Sequence, residues 1–459
     1  MSPPDLLVIF SWCFVGVAAL LIVVPYLLGK ADLLTTWNTF LLGSINFVGF
    51  AGLKAGYSPQ FFRILEYTSN DYYLLMLGIV TFYTTLTLTY NFLRLPRQMA
   101  GSLPRRWPPA STGVLYLMLG ISFAAGLASL SPVKVPFVSQ VISQIGNKAI
   151  TFGVVFAFIA WYRNRANIFL LSTLLAMIGL ALMMAITAGS GRRTFVGVAA
   201  AAPLAYYWIK LRYKAPAPTL VKLSFAGAFV LLVLAGYSQL RHFDRRTGTA
   251  EGRTFVDAIE VLKELPSRML NPAAAEELMV GQNAAQTSLA AIHLYTRQLD
   301  PEPFNAFVFV VTNPMPRAFW EGKPRGLGYT LPKDSPGFTR ATWGPGIVGH
   351  GFHEGGLHML VFYGVLAGVA LRYFDELLAR QPTNPYLLAM VAASSGHIAG
   401  WSRGDIGTFS IQIVGAFIAM LLFAALGRLF FGTGVVYPKT SGREFTTKNI
   451  FARPLAEPA

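Results

Sequence analysis

The sequence predicts an all-α polytopic membrane protein of about eleven transmembrane helices, with roughly ten to fourteen allowed, and one large external loop containing short helices. Three observations carry that prediction. Of 459 residues, 54% are hydrophobic and only 13% are charged, and the mean hydropathy is +0.50, too apolar for the surface of a soluble chain. Apolar stretches of about 20 residues, the length that crosses a bilayer, recur towards both ends. Between them lies a single large polar gap, 239–345.

The stretches fall near 6–29, 34–56, 72–93, 113–131, 144–161, 167–188, 194–210, 220–238, 347–371, 384–400 and 406–431. They divide the chain into a first bundle of about eight spans (1–238), the external loop (239–345), a final group of spans (346–432) and a tail (433–459). The first stretch has no basic flank before it and no small-residue cleavage site after it, which reads as a retained anchor. The lone cysteine, Cys13, lies inside it, so no disulfide framework or cysteine metal site is expected.

The net charge of +16 would point to nucleic acid in a soluble chain, but here the question is on which side of the membrane the cations lie. Arg94, Arg97, Arg105 and Arg106 follow the third span, and Arg163 and Arg165 the fifth. Lys210, Arg212, Lys214 and Lys222 follow the seventh, and Arg428, Lys439, Arg443, Lys448 and Arg453 the last. Counting spans puts all of these loops on one side, which the positive-inside rule makes cytoplasmic. The 239–345 gap and the turns 189–193 and 401–405 are then external.

Within the gap, TFVDAIEVLKEL (254–265) has a cap-like start at Thr254 and a stop at Pro266. Asn271 and Pro272 open a second helical run to about Gln298. From Asp300 onward proline and glycine dominate, which predicts turns.

Several cations stand where the positive-inside rule does not want them. Arg192 and Arg193 follow the glycines of GSGRRTF, and Arg241 follows the eighth span directly. Arg317, Lys323 and Arg325 lie in NPMPRAFWEGKPRGLG (313–328), and Arg403 lies in WSRGD. Guanidinium forks bind phosphate oxygens bidentately, so this set forms a candidate pyrophosphate site, whereas any single member is explained by lipid headgroups or snorkelling.

His350, His353, Glu354 and His358 cluster in GHGFHEGGLH at the mouth of the ninth span. Their spacing does not match the zinc helix signature, so no metal is expected. A general base fits better, with Glu354 preferred and His353 as its rival. Trp320, Trp343 and Trp401 suit interface anchoring, with sugar stacking by Trp320 and Trp343 as the alternative.

The pattern Pro316, Arg317, Trp320, Lys323 and Pro324, the glycine-bounded His–Glu entry into the next span, the GRR after a central span and the RG pair before the last one resemble Wzy-type bacterial polymerases of O-antigen or exopolysaccharide repeat units. The resemblance implies a glycosyltransferase of the C-type membrane fold in the bacterial inner membrane, working at the periplasmic face without metal or cofactor. Its substrates would be undecaprenyl-pyrophosphate-linked oligosaccharides, and a chain-length regulator is a further partner it allows. The cations would then neutralise the departing pyrophosphate and Glu354 would accept a hydroxyl proton. The rival readings are an O-antigen ligase, for which GHGFHE supplies a loop histidine, and a transporter of lipid-linked sugars. The latter should line its path with charge, and inside the spans the sequence offers only Lys54 and Lys148, both near span ends.

Overall fold

The computed structural model describes residues 2–58, 65–102, 106–130, 138–187, 191–247, 263, 266–267, 283–313, 315, 319–334 and 343–436. In chain order its helices are α1 (Pro3–Leu27), α2 (Thr36–Tyr57), α3 (Ser69–Phe92), α4 (Leu95–Ser102), α5 (Thr112–Leu130), α6 (Val138–Arg163), α7 (Ile168–Thr187) and α8 (Gly191–Ile209). They continue with α9 (Pro216–Thr247), α10 (Ala284–Tyr295), α11 (Asn305–Thr312), α12 (Leu327–Asp334), α13 (Gly346–Glu354), α14 (Leu357–Arg380), α15 (Pro385–Gly400) and α16 (Ile406–Phe431). A two-residue antiparallel pairing, Arg106–Trp107 with Val435–Val436, is the β-structure among the described residues.

The chain is therefore all-helical, and among the described residues five helices, α1, α2, α3, α14 and α16, are long and apolar enough to cross a membrane. Helices α5 to α9 and α15 lie where the sequence places further spans.

Buried polar contacts sort the helix ends into two groups. At one end the Asp375 carboxylate accepts from Thr36 N (2.6 Å), Trp37 N (3.1 Å) and the Tyr90 hydroxyl (2.8 Å). A negative charge there satisfies the free N–H groups at the start of α2 and joins α2, α3 and α14. Close by in sequence, Arg212 pairs with Asp32 at 2.8 Å, Trp208 donates to Leu34 O at 2.9 Å, and Arg97 meets Glu376 at 3.2 Å. The basic loops 94–97 and 210–214 thus gather at this end. At the other end Asp71 holds His293 (3.0 Å) and Arg297 (3.1 Å), and Gly346 N donates to Arg403 O (2.8 Å).

Small residues set the helix spacing. A Cβ on Gly364 would lie 2.9 Å from Thr85 Cβ, and one on Gly368 2.7 Å from Thr89 Cβ, so this four-residue spacing brings α14 tightly against α3. A Cβ on Gly197 would lie 3.0 Å from Ala392 O, and one on Gly396 would run into Arg193 O, which closes α8 onto α15 in the same way.

Two expectations are corrected. The stretch 347–371 is not one span but two helices, because Gly355 (φ 133°) and Gly356 (φ 89°) adopt backbone that side chains disfavour and so break the helix between α13 and α14. The region after Asp300 is not turns alone, since it forms α11 and α12. The apolar run NAFVFVVT of α11 packs against α16, where Phe309 meets Gly407, and that burial overrides the neighbouring turn residues. The helical run to Gln298 is present as α10, while the helix starts read at 254 and 271 lie outside the described residues.

Replacing Gly364 with Leu should force α3 and α14 apart and cost about 1–3 kcal/mol. The readout is a lowered unfolding temperature in detergent relative to Gly113→Leu, because Gly113 has open space around it.

Candidate functional site

The group at the α10 end of the bundle is built on α13. Helix α13 is buried along its whole length, from Gly346 to Glu354. It is held on α10, where Ser288 Oγ donates to Pro345 O (2.6 Å) and Thr287 Oγ1 to Gly344 O (2.6 Å). The helix stops at the Gly355–Gly356 break and leaves Glu354 at its inner end.

Glu354 is fully buried, and its carboxylate is satisfied by the protein. It accepts from the Tyr363 hydroxyl (2.5 Å), across the break on α14, and from Ala306 N (2.9 Å), in the first turn of α11. A carboxylate at a helix N-terminus answers free N–H groups and the helix dipole together. To present that N-terminus, Phe304 takes a left-handed backbone (φ 59°), unusual for an aromatic residue, and its ring packs edge-on to Phe362 at 5.3 Å.

His350 sits one turn earlier, with Nδ1 3.7 Å from Glu354 Oε1. Its Nε2 accepts from Ile406 N at 3.1 Å, so in the neutral ring the proton is on Nδ1, facing Glu354. His353 stands against Tyr295, with ring centroids 4.6 Å apart, and its Nε2 is 3.5 Å from Glu302 Oε2. Its carbonyl accepts from Glu302 N at 2.9 Å. Buried His353 Nδ1 has no hydrogen-bond partner among the described residues. Burial first, and the neighbouring His350 second, push His353 down to about 3, so the ring is neutral at physiological pH.

His350, His353 and Glu354 bring one ligand atom each within 4.8 Å of one another, close enough to ask whether they hold a metal. They do not fit one as arranged. A cation on His350 Nδ1 would displace the proton that faces Glu354, and Nε2 could not take that proton while facing the Ile406 N–H. Glu354 is already engaged by two donors. Glu354 is instead the anchored member of the trio, while His350 Nδ1, 3.7 Å from it, and His353 Nδ1 have no hydrogen-bond partner among the described residues.

The remaining predicted residues spread around this centre. Asp405 accepts from Thr408 N (2.9 Å), capping α16, and from Gly328 N (3.1 Å), which ties the end of the 313–328 segment onto the 401–405 turn. Lys323 is buried, and its ammonium donates to Asn313 O (2.9 Å) and Met315 O (2.8 Å). It therefore braces the turn instead of presenting its charge outward. Arg325 is exposed. The Arg403 guanidinium lies over the Phe47 ring at 5.7 Å, beside the π-helical segment Ile45–Phe50 of α2. Arg193 lies over Phe409 at 3.8 Å. The Trp343 backbone N–H donates to Gly328 O (3.0 Å) and its ring packs beside Leu327 and Leu331, whereas Trp320 lies at the surface. Arg317 and the side chains of Arg192 and Arg241 lie outside the described residues.

Sequence reading missed Tyr363, Glu302, Asp405 and the Lys148–His397 contact. Tyr363 is i+9 from Glu354, a spacing that means nothing until the glycine break folds the two helices onto each other. Lys148 and His397 are 249 positions apart, and no local signal links them.

No family model matches the chain, and no curated protein or solved structure matches it either, so function has to be read from the site's own chemistry.

Because His353 is neutral when folded but takes a proton near its ordinary value of 6.5 when unfolded, the unfolded state binds more protons between about pH 6.5 and about pH 3. Stability is unaffected by this group above that window and falls as the pH drops through it. A thermal-unfolding series from pH 7.5 to 4.5 should therefore show a shallower decline for His353→Asn than for the wild type.

Proposed function

We propose that the chain is a metal-independent glycosyltransferase that polymerises undecaprenyl-pyrophosphate-linked oligosaccharide repeat units. On this reading the long apolar helices, α14 among them in place of the expected 347–371 span, cross the bacterial inner membrane, and the α13 site faces the periplasm together with the 239–345 loop. The observation that carries it is His353, a buried neutral imidazole with one unpartnered nitrogen next to a fixed carboxylate.

The reading divides the roles as follows. The acceptor sugar hydroxyl gives its proton to His353 Nδ1 as its oxygen bonds to the anomeric carbon of the donor. The bond from that carbon to the pyrophosphate oxygen breaks, and the electron pair leaves with undecaprenyl pyrophosphate. Arg193, Arg403 and Arg325, with Arg192, Arg241 and Arg317, supply positive charge for the departing group. Glu354 becomes a positioning residue, because it is fully buried and each of its oxygens is held by the protein, at Ala306 N and at the Tyr363 hydroxyl. Lys323 likewise supports the loop rather than the phosphate.

His353 is covered by the Glu302 turn through the 2.9 Å backbone bond and the 3.5 Å approach of the Glu302 carboxylate to Nε2. Substrate entry therefore requires that turn to lift, and loop motion of this kind is a common gate in enzymes.

Purified protein incubated with a lipid-linked repeat unit should produce a ladder of polymers. His353→Gln should slow its formation by about 100-fold or more, whereas Trp343→Phe should stay within a factor of a few. An undiminished ladder from His353→Gln would remove the base assignment. Transfer to a lipid A core acceptor with no ladder would replace the polymerase reading with the ligase.

A further inference from the structure

A neutral imidazole carries one N–H and one lone pair, so His353 Nδ1 accepts a proton only while the ring proton sits on Nε2. With the proton on Nδ1 the same nitrogen is a donor and no base. Among the described residues Nδ1 has no hydrogen-bond partner that would settle the matter. The choice falls to what stands at Nε2.

The group there is the Glu302 carboxylate, with Oε2 3.5 Å from Nε2. It is held in place from both sides. Glu302 N donates to His353 O at 2.9 Å, Asn305 N donates to Glu302 O at 3.3 Å, and the Asn305 side-chain amide donates to Glu302 Oε2. The ring itself is fixed in plane by Tyr295, which it meets at 84°. Glu354, the other carboxylate close to this ring, is engaged by Ala306 N and the Tyr363 hydroxyl.

We propose that Glu302 is a positioning residue for His353: its carboxylate keeps the ring proton on Nε2 and so leaves Nδ1 as the base. The role of base rests on the glycosyl-transfer reading, whereas the placement of the proton does not. At 3.5 Å the contact is longer than an ordinary hydrogen bond, and catalytic contacts of this kind tighten when substrate is bound. Glu302 lies on the turn that lifts for entry, so the base is set again as that turn closes over the acceptor. When Nδ1 takes the hydroxyl proton, the ring becomes a cation with an N–H on each nitrogen, and the Glu302 carboxylate stabilises that charge.

Two readouts test this, one of which uses no sugar. Full-length protein labelled with nitrogen-15 at histidine and held in nanodiscs reports by nuclear magnetic resonance which ring nitrogen is protonated, and the His353 signals are those missing from His353→Gln. Wild type should show Nε2 protonated and Nδ1 bare. Glu302→Ala removes an exposed side chain and keeps the backbone bond to His353 O, and in it the form protonated on Nδ1 should appear. In the ladder assay Glu302→Ala should lower kcat at least about tenfold while KM stays within a factor of about two, because the lost contact serves the reacting ring and not the binding of substrate.

A wild-type ring protonated on Nδ1, or a Glu302→Ala ring unchanged from wild type, would overturn the proposal. So would an undiminished ladder from Glu302→Ala beside a slowed one from His353→Gln, an outcome that leaves the polymerase reading standing. A wild type that makes no ladder removes the polymerase reading instead, and the spectra still decide where Glu302 holds the proton.

Discussion

A carboxylate with no access to water has to be satisfied by the protein, and Glu354 is where this chain meets that demand. Its partners come from three separate pieces of the chain: its own helix α13, Tyr363 on α14 and the first turn of α11. Burying the charge is tolerable only because all of them converge, and loss of any one would leave a donor or the carboxylate unpaired in a low-dielectric interior. The Gly355–Gly356 break lets α14 double back so that Tyr363 reaches Glu354, and the left-handed Phe304 delivers the N-terminus of α11. Both departures from ordinary backbone therefore serve the same carboxylate, one at each oxygen.

The same convergence locates the bundle's chemistry. Contacts at the Asp375 end are capping and ion-pair contacts that close the helix starts, with each acid matched to donors in its own neighbourhood. At the opposite end His350 Nδ1 and His353 Nδ1 at α13, and His397 Nδ1 with Ser394 Oγ deeper in the bundle, have no hydrogen-bond partner among the described residues. Unmet hydrogen-bonding capacity in a buried site carries a free-energy cost, and at α13 it falls beside a buried carboxylate and a perturbed histidine, which marks that place as the candidate site.

How much of this was legible depended on the range of the physics involved. Helix positions followed from apolar length and proline or glycine punctuation, which are local, and α1, α3 and α16 lie close to where the sequence places them. The cluster of His350, His353 and Glu354 was legible for the same reason, since three- and four-residue spacings on one helix are readable directly. Roles within it were not. Glu354 reads as the base until Tyr363 and Ala306 occupy its oxygens, and Lys323 reads as a phosphate ligand until Asn313 and Met315 take its protons. In each case a hydrogen bond formed by the fold removes a group from availability, and sequence alone registers the group but not the bond.

The glycine-rich end of the 313–328 segment shows the same point from the backbone side. A Cβ on Gly328 would lie 2.7 Å from Trp343 O, and one on Gly326 would press into the Asp405 carboxylate. These glycines are therefore spaces into which the 401–405 turn fits. Asp405 then does two jobs at once, capping α16 and holding Gly328 N, and Ile406 next to it donates to His350 Nε2 and so fixes which nitrogen of that ring carries the proton. A loop that reads as a cationic surface motif thus acts, through two glycines and one capping aspartate, on the tautomer of a buried histidine, linking the proline-rich segment to the proton chemistry at α13 without touching it.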